Sequence, residues 1–249
     1  MREILVTKGL TKFFGDFKAV DSVDLTLYEG TITSLVGPNG AGKTTLLNMI
    51  SGVIKPTRGK IYFMNKDITG LPPYKIVKMG IARSFQLPCV CNDLTTLDNV
   101  RIAILSRMGK VRRLFSLVDK DKEVYERAIK ILKTFGLYEK KDLLAQDLSH
   151  GDRKLLDVAM AFALEPKLIL LDEPTSGVST SEKSKIMRTI EKVIREIGIT
   201  ALIVEHDMDI VFSYSDRIIV MHEGKIIADG KPDEIKSNKR VESILLGVE

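Results

Sequence analysis

Apolar and polar positions along the chain fall into two periods. Near the start, EILVTKGL (3–10), SVDLTLY (22–28) and TITSLVG (31–37) carry the short β-type pattern. KTTLLNMISG then has helical character, with Gly52 as its stop, and GKIYFMN (59–65) returns to strand after a Pro/Gly turn. LPPYKIVKMGIARSFQLP follows as helix, strand and loop. From about residue 95 to 165 strand signals vanish. There DKDKEVYERAIKILKTFGL puts Val124, Ala128, Ile131, Leu132 and Phe135 on one helical face, and RKLLDVAMAFAL is apolar nearly all round, as a buried helix should be. Afterwards the pattern alternates again. KLILLDEP is a near-continuous apolar strand of the kind found inside parallel sheets. A helix over roughly 181–197, the strand ITALIVEH, a hairpin turning near Glu223–Gly224 and short closing helices complete the chain. Strands separated by helices predict a doubly wound α/β sheet, with an antiparallel β lobe and an inserted α-helical lobe at about 95–165.

Composition narrows this picture. With 249 residues, 44% hydrophobic and 29% charged, the chain suits a single domain spanning 1–249. Its apolar runs are far too short to cross a membrane, and its first residues lack a signal peptide or lipidation motif, so a cytoplasmic protein is expected. The net charge is +5, but Lys and Arg are interleaved with Asp and Glu. KVRR (110–113) is the tight basic cluster, read as a solvated loop with membrane headgroups or a partner as the alternative. No aromatics interleave with the cations to stack bases, so nucleic acid is not an expected partner. Cys89 and Cys91 form a lone C-x-C, read as reduced thiols rather than a zinc site.

The chemistry concentrates in two places. GPNGAGKT (37–44) fits G-x-x-x-x-G-K-[ST], after a strand and at the start of a helix. Gly37, Gly40 and Gly42 let the backbone curl with its N–H groups inward, and Pro38, Asn39, Ala41 and Thr45 complete the cradle. The helix N-terminus favours phosphate, Lys43 reaches the β- and γ-phosphates, and Thr44 supplies a hydroxyl for Mg2+. LILLDEP delivers Asp172 and Glu173 at the C-terminal end of a strand, where open α/β sheets bind ligands. Asp172 suits Mg2+ and Glu173 suits the orientation of an attacking water.

Together these motifs resemble the nucleotide-binding subunit of ATP-binding cassette (ABC) transporters, with the P-loop NTPase core of that family. The resemblance runs over essentially the whole chain: the phosphate loop at 37–45, Gln86, LSHGD (148–152), LLDEP (170–174) and His206 after LIVE occur in the family's order. It implies ATP and Mg2+ as cofactors, with Thr44, Gln86 and Asp172 toward the metal. It implies that two subunits, copies or paralogues, face head to tail, so that Ser149 and the N–H groups near Gly151 cover ATP held by the other chain. Ser149-x-x-Asp152 also reads as an intrachain capping box, and the two readings coexist. By resemblance His206 contacts the γ-phosphate, Gln86 links metal, water and transporter, and Phe14 stacks adenine.

The chain departs from the family pattern at His150, where Gly is commoner, at Asp152, where Gln is commoner, and at Ser179, where Asp is common. Asp152 adds negative charge close to the expected phosphate. ARSFQ, LSHGD, the sizeable helical lobe and the ending ILLGVE resemble the ATP-binding subunits of branched-chain amino acid importers; urea and short-chain amide importers share that look. The implied partners are permease subunits docking near Gln86–Leu97 and, indirectly, a solute-binding protein, with the chain peripheral on the cytoplasmic face of the membrane. The alternatives are the ATPase of another transporter, such as a lipopolysaccharide exporter, and a soluble ABC ATPase of translation or repair. A P-loop kinase would need an acceptor site and no signature turn.

Overall fold

The computed structural model describes residues 1–84, 90–109 and 121–246. Two sheets share the work. The first is antiparallel, in the order β2 (Phe17–Tyr28), β1 (Glu3–Phe14), β4 (Arg58–Phe63), β5 (Lys66–Asp67). The second runs β10 (Lys225–Gly230), β9 (Arg217–His222), β3 (Ile32–Val36), β8 (Thr200–Val204), β7 (Leu168–Asp172), β6 (Ile81–Arg83). It is parallel from β9 to β6, and β10 joins it antiparallel through the hairpin at Glu223–Gly224. Every residue of β3, β7 and β8 is buried, which is why these segments read as continuous apolar runs. β7 lies between β6 and β8, so its C-terminal Asp172 emerges from inside the sheet.

Helices α1 (Lys43–Ile50), α2 (Pro73–Met79), α3 (Thr96–Arg107), α4 (Lys122–Thr134), α5 (His150–Ala163), α6 (Thr180–Ile197), α7 (Met208–Tyr214), α8 (Pro232–Lys236) and α9 (Lys239–Leu246), with 3-10 turns at Tyr138–Lys140 and Ala145–Asp147, complete the described elements. One apolar cluster packs α3, α4, α5 and α6 against one side of the parallel sheet; another fills the space between that sheet, α1 and the antiparallel sheet. On α4 the predicted face buries Val124, Ala128 and Leu132, and Phe135 packs on Phe162 with ring centroids 5.3 Å apart. Ile131 differs: it is only half-buried, because it borders a cavity. Helix α5 buries more than apolar groups, for Lys154 and Asp157 are enclosed as well.

A polar clamp ties β3 and the residue before β9 to helix α6. Asp216 accepts the Ile32 N–H at the start of β3 (2.8 Å) and both terminal nitrogens of Arg195 on α6 (2.8 Å each). Burial pushes the Asp216 carboxyl up, but the Arg195 and Ile32 donors outweigh it and hold it below the ordinary carboxylate range. A carboxylate with a depressed folded pKa contributes stability above its unfolded value and loses it as pH falls through the folded one. Asp216→Asn is therefore expected to cost about 1–2 kcal/mol near neutral pH, the side chain being part-exposed and screened. Urea unfolding at pH 7 and pH 3 should show the cost shrinking in acid; an equal cost at both would remove the charge from the explanation.

Candidate functional site

The phosphate loop leaves β3 at Gly37 and enters α1 at Lys43. Gly37 has φ +151° and Gly42 φ +98°. A Cβ on Gly37 would stand 2.1 Å from the Met221 carbonyl oxygen of β9, and one on Gly42 would stand 2.4 Å from the Ala19 oxygen of β2. Only glycine fits at either point, so the loop is wedged between the two sheets. The Lys43 ammonium is buried and donates to the Gly37 and Pro38 carbonyls (2.7 and 2.9 Å). Burial lowers its pKa, countered by the nearby charges of Glu173 and Asp172. Thr44 is exposed and Thr45 half-buried in the first turn of α1. A cup of about 220 Å³ opens beside the loop, lined by Gly37, Pro38, Asn39, Glu205, His206 and neighbours.

Beyond the end of β8, Glu205 and His206 line that cup, and Glu173 beyond the end of β7 joins it through His206. Glu173 continues β7 by donating its N–H to the Val204 carbonyl (2.9 Å), then turns sharply at φ +51°, a conformation few side-chain-bearing residues adopt. Its Oε1 lies 2.7 Å from His206 Nε2. Behind the imidazole, buried Glu205 accepts from the Thr175 N–H (3.0 Å) and hydroxyl (2.8 Å), which fixes the loop following Glu173. Burial raises the Glu205 pKa against the pull of these donors. Asp172 is buried and paired by one oxygen with Arg83 of β6 (2.8 Å), while its Oδ1 has no hydrogen-bond partner. Arg83 also donates to Asn48 (2.6 Å) of α1 and to Ser51 (3.0 Å) at its C-cap, joining the Asp172 strand to the phosphate-loop helix.

LSHGD stands on a different element. Ser149 N-caps α5, its hydroxyl accepting the Asp152 N–H (3.1 Å), so the capping half of the box forms. The Asp152 carboxylate does not return to the Ser149 N–H; it accepts from the Ser149 hydroxyl (2.6 Å) and pairs with Lys140. Burial raises the Asp152 pKa, but these two donors together leave it lowered. The negative charge flagged in the sequence thus has its own counter-ion. His150 and Ser149 are exposed, and no residue of this turn lines the cup beside the chain's own phosphate loop. The turn is bound instead to the loop after Glu173. His150 Nε2 lies 3.3 Å from the Ser176 carbonyl oxygen, and buried Lys154 donates to the Glu173 carbonyl (3.3 Å) and the Ser176 hydroxyl (3.0 Å). Ser179, the third departure, starts α6 with its N–H and hydroxyl both on Glu182 (3.2 and 2.7 Å).

The structure therefore gathers Gly37–Thr45, Asp172, Glu173 and His206, and sets Ser149 and Gly151 apart. Phe14 ends β1 at the tip of the β1–β2 hairpin, half exposed, with the Lys12 ammonium 5.2 Å from its ring centre. That hairpin also carries Ala19, which touches the phosphate loop. Gln86, Cys89 and the KVRR cluster lie outside the described residues, as does part of the expected Gln86–Leu97 docking region. Sequence reading passed over Arg83, Glu205 and Lys154. Their common signal is a charge within or against an apolar run, in IAR, LIVE and RKLL, which a folded chain tolerates only when the charge is paired.

Among the described residues no helix is long and apolar enough to cross a membrane. The ABC transporter family profile matches residues 20–176. A probable branched-chain amino acid transport ATP-binding protein of Archaeoglobus fulgidus is 40% identical over 99% of this chain and 96% of its own length. A high-affinity branched-chain amino acid transport ATP-binding protein of Escherichia coli is 35% identical over 98% of both chains. A crystal structure of the ADP conformation of an ATP-binding cassette superimposes with a TM-score of 0.88, at 37% identity, over 99% of this chain and 100% of that one. A dimeric cassette in a post-hydrolysis state, bound to ADP and phosphate, superimposes with a TM-score of 0.78 at 30% identity, over 92% of this chain and 99% of that one. With the phosphate loop, the carboxylate–imidazole pair and the signature turn in place on this fold, the chain belongs to the ABC transporter family and is an ATP-binding, ATP-hydrolysing subunit of that family.

Proposed function

We propose that this subunit hydrolyses ATP at two sites shared with a second ABC subunit, and that closure of the pair drives permease subunits of an importer for branched-chain amino acids or related small amides. The solute class rests on the relatives, whose names specify branched-chain amino acid transport. A peripheral position on the cytoplasmic face, next to permease subunits served by a solute-binding protein, follows from that role. The observation that carries the catalytic reading is the Glu173–His206 contact of 2.7 Å at the rim of the phosphate cup. The shared-site reading is supported by the separation of the exposed Ser149 turn from that cup.

In this mechanism the loop N–H groups and Lys43 hold the β- and γ-phosphates, Lys43 exchanging its two loop carbonyls for phosphate oxygens. Glu173 accepts hydrogen bonds from the attacking water, and His206 orients both the carboxylate and the γ-phosphate. Mg2+ fits the residues present: Asp172 Oδ1 is a buried acceptor lacking a partner, and the Thr44 hydroxyl is exposed at the first turn of α1. When bound there, Mg2+ would neutralise charge developing on the phosphates. Gln86 is assigned to the same metal and water by family resemblance. Phe14 offers a ring for adenine at the hairpin tip. Ser149 and the Gly151 N–H cap the triphosphate of the partner from across the interface. Asp152 stays compatible with that role because Lys140 balances it.

Glu173→Gln should cut steady-state phosphate release by ~10²–10⁴ while retaining ATP binding, and should leave an ATP-loaded dimer visible by gel filtration. Unchanged turnover would take Glu173 out of the reaction. Ser149→Ala should lower hydrolysis by about ten- to hundredfold, the worth of a charge-assisted hydrogen bond. The helix should weaken by about 1 kcal/mol from the lost cap, with nucleotide affinity of the monomer preserved. Parallel loss of affinity and turnover would reduce Ser149 to a cap. Released phosphate in the absence of any acceptor separates hydrolysis from kinase chemistry. Recovery from native membranes should bring down two permease subunits; capture of ribosomes or DNA-repair proteins instead would overturn the transport role.

A further inference from the structure

A second cavity lies away from the nucleotide cup. It has a volume of about 750 Å³ and opens at the N-terminal ends of β7 and β8, bordered by Lys167 and Thr200. The cup lies beyond the opposite end of β8, where Glu205 lines it five residues after Thr200, or roughly 16 Å at ~3.3 Å per residue. The floor is apolar: Ile104 of α3, Ile131 of α4, then Phe135, Phe162 of α5 and Ile199. Ile197, at the end of α6, stands on the rim 62% exposed although it is fully apolar. Its volume falls within the range of pockets that enclose small organic ligands.

The rim has the opposite character. It carries Arg2, Arg107, Arg127, Lys130 and Lys167 against the carboxylates Glu29 and Glu165. Arg2 pairs with Glu29 (3.5 Å), and Arg127 with Glu123 (2.9 Å) and Glu165 (3.2 Å). Arg107, Lys130 and Lys167 face the opening with no carboxylate partner among the described residues. An apolar floor, with cations at its mouth that lack a carboxylate partner among the described residues, is complementary to one ligand chemistry: an apolar body ending in an anionic head. Neither the phosphate chemistry nor the signature turn uses any of these residues.

We propose that this cavity is a second binding site, for a monocarboxylate with an apolar body, its head on Arg107 and Lys130 and its body on Ile131, Phe135, Phe162 and Ile199. Such a ligand bridges α3 and α4 to the sheet-bound α5 and α6. It has two sources of the same chemistry, a straight-chain fatty acid or a short branched-chain acid. Decanoate and 4-methyl-2-oxopentanoate serve as probes for the two, titrated into the full chain by calorimetry below their aggregation concentrations, with decylammonium as the charge control.

At least one carboxylate should bind with a Kd at least tenfold below that of decylammonium. Arg107→Glu with Lys130→Glu should weaken it by more than tenfold. Ile197→Asp, which changes an exposed rim position, should weaken it severalfold while melting temperature and ATP hydrolysis stay at wild-type values. Tighter binding of decanoate would identify the long-chain source, and tighter binding of the oxo acid the branched one. No binding by either carboxylate, equal binding of decylammonium, or full affinity in both variants would overturn the site.

Discussion

The arrangement rests on how closely the phosphate loop is pressed between two sheets. Gly37 meets the carbonyl of Met221 and Gly42 meets that of Ala19, each at a distance that leaves no room for a Cβ. One contact comes from the parallel sheet and the other from the antiparallel sheet, so the loop's curvature is set by both. The Gly224 N–H, at the hairpin beyond β9, holds the Ala41 carbonyl (3.1 Å) from the same side. A loop fixed this way presents its N–H groups without reorganising, which is what electrostatic binding of a triphosphate needs.

The chemistry then depends on how strand ends are joined. Arg83 draws Asp172, Asn48 and Ser51 together, joining the carboxylate end of β7 to the helix after the phosphate loop. Removing either member of a buried pair of this kind strands the other charge, which makes the pair a strict requirement rather than a source of extra stability. On the next strand, Glu205 anchors Thr175 from behind His206. Glu173 is held in a left-handed turn by its N–H on Val204 and by Lys154 on its carbonyl. The Glu173 residue is therefore held by three elements at once, β7, β8 and α5.

Lys154 and His150 link the LSHGD turn to the loop that follows β7 in the same chain. The turn lines no part of its own cup, yet His150 and Lys154 contact Ser176 and the carbonyl of Glu173. His150 stands where the family more often has glycine, and its ring lies against Gly177. The departure thus tightens the link between turn and loop.

Much was legible along the chain because it depends on local spacing. The glycines, Lys43 and Thr44 declare a phosphate loop, KLILLDEP declares a buried strand ending in two carboxylates, and Ser149 with Asp152 declares a helix cap. Each is written within a few residues. The 3.6-residue period of α4 likewise placed Val124, Ala128 and Leu132 inside. Pairings between distant segments were not legible. That Arg83 would neutralise Asp172, that Lys140 would balance Asp152, and that Ile131 would border a cavity instead of filling the core are outcomes of packing. Local pattern says which face of an element is apolar; only the assembled layers decide which buried charges meet and where two apolar faces fail to close.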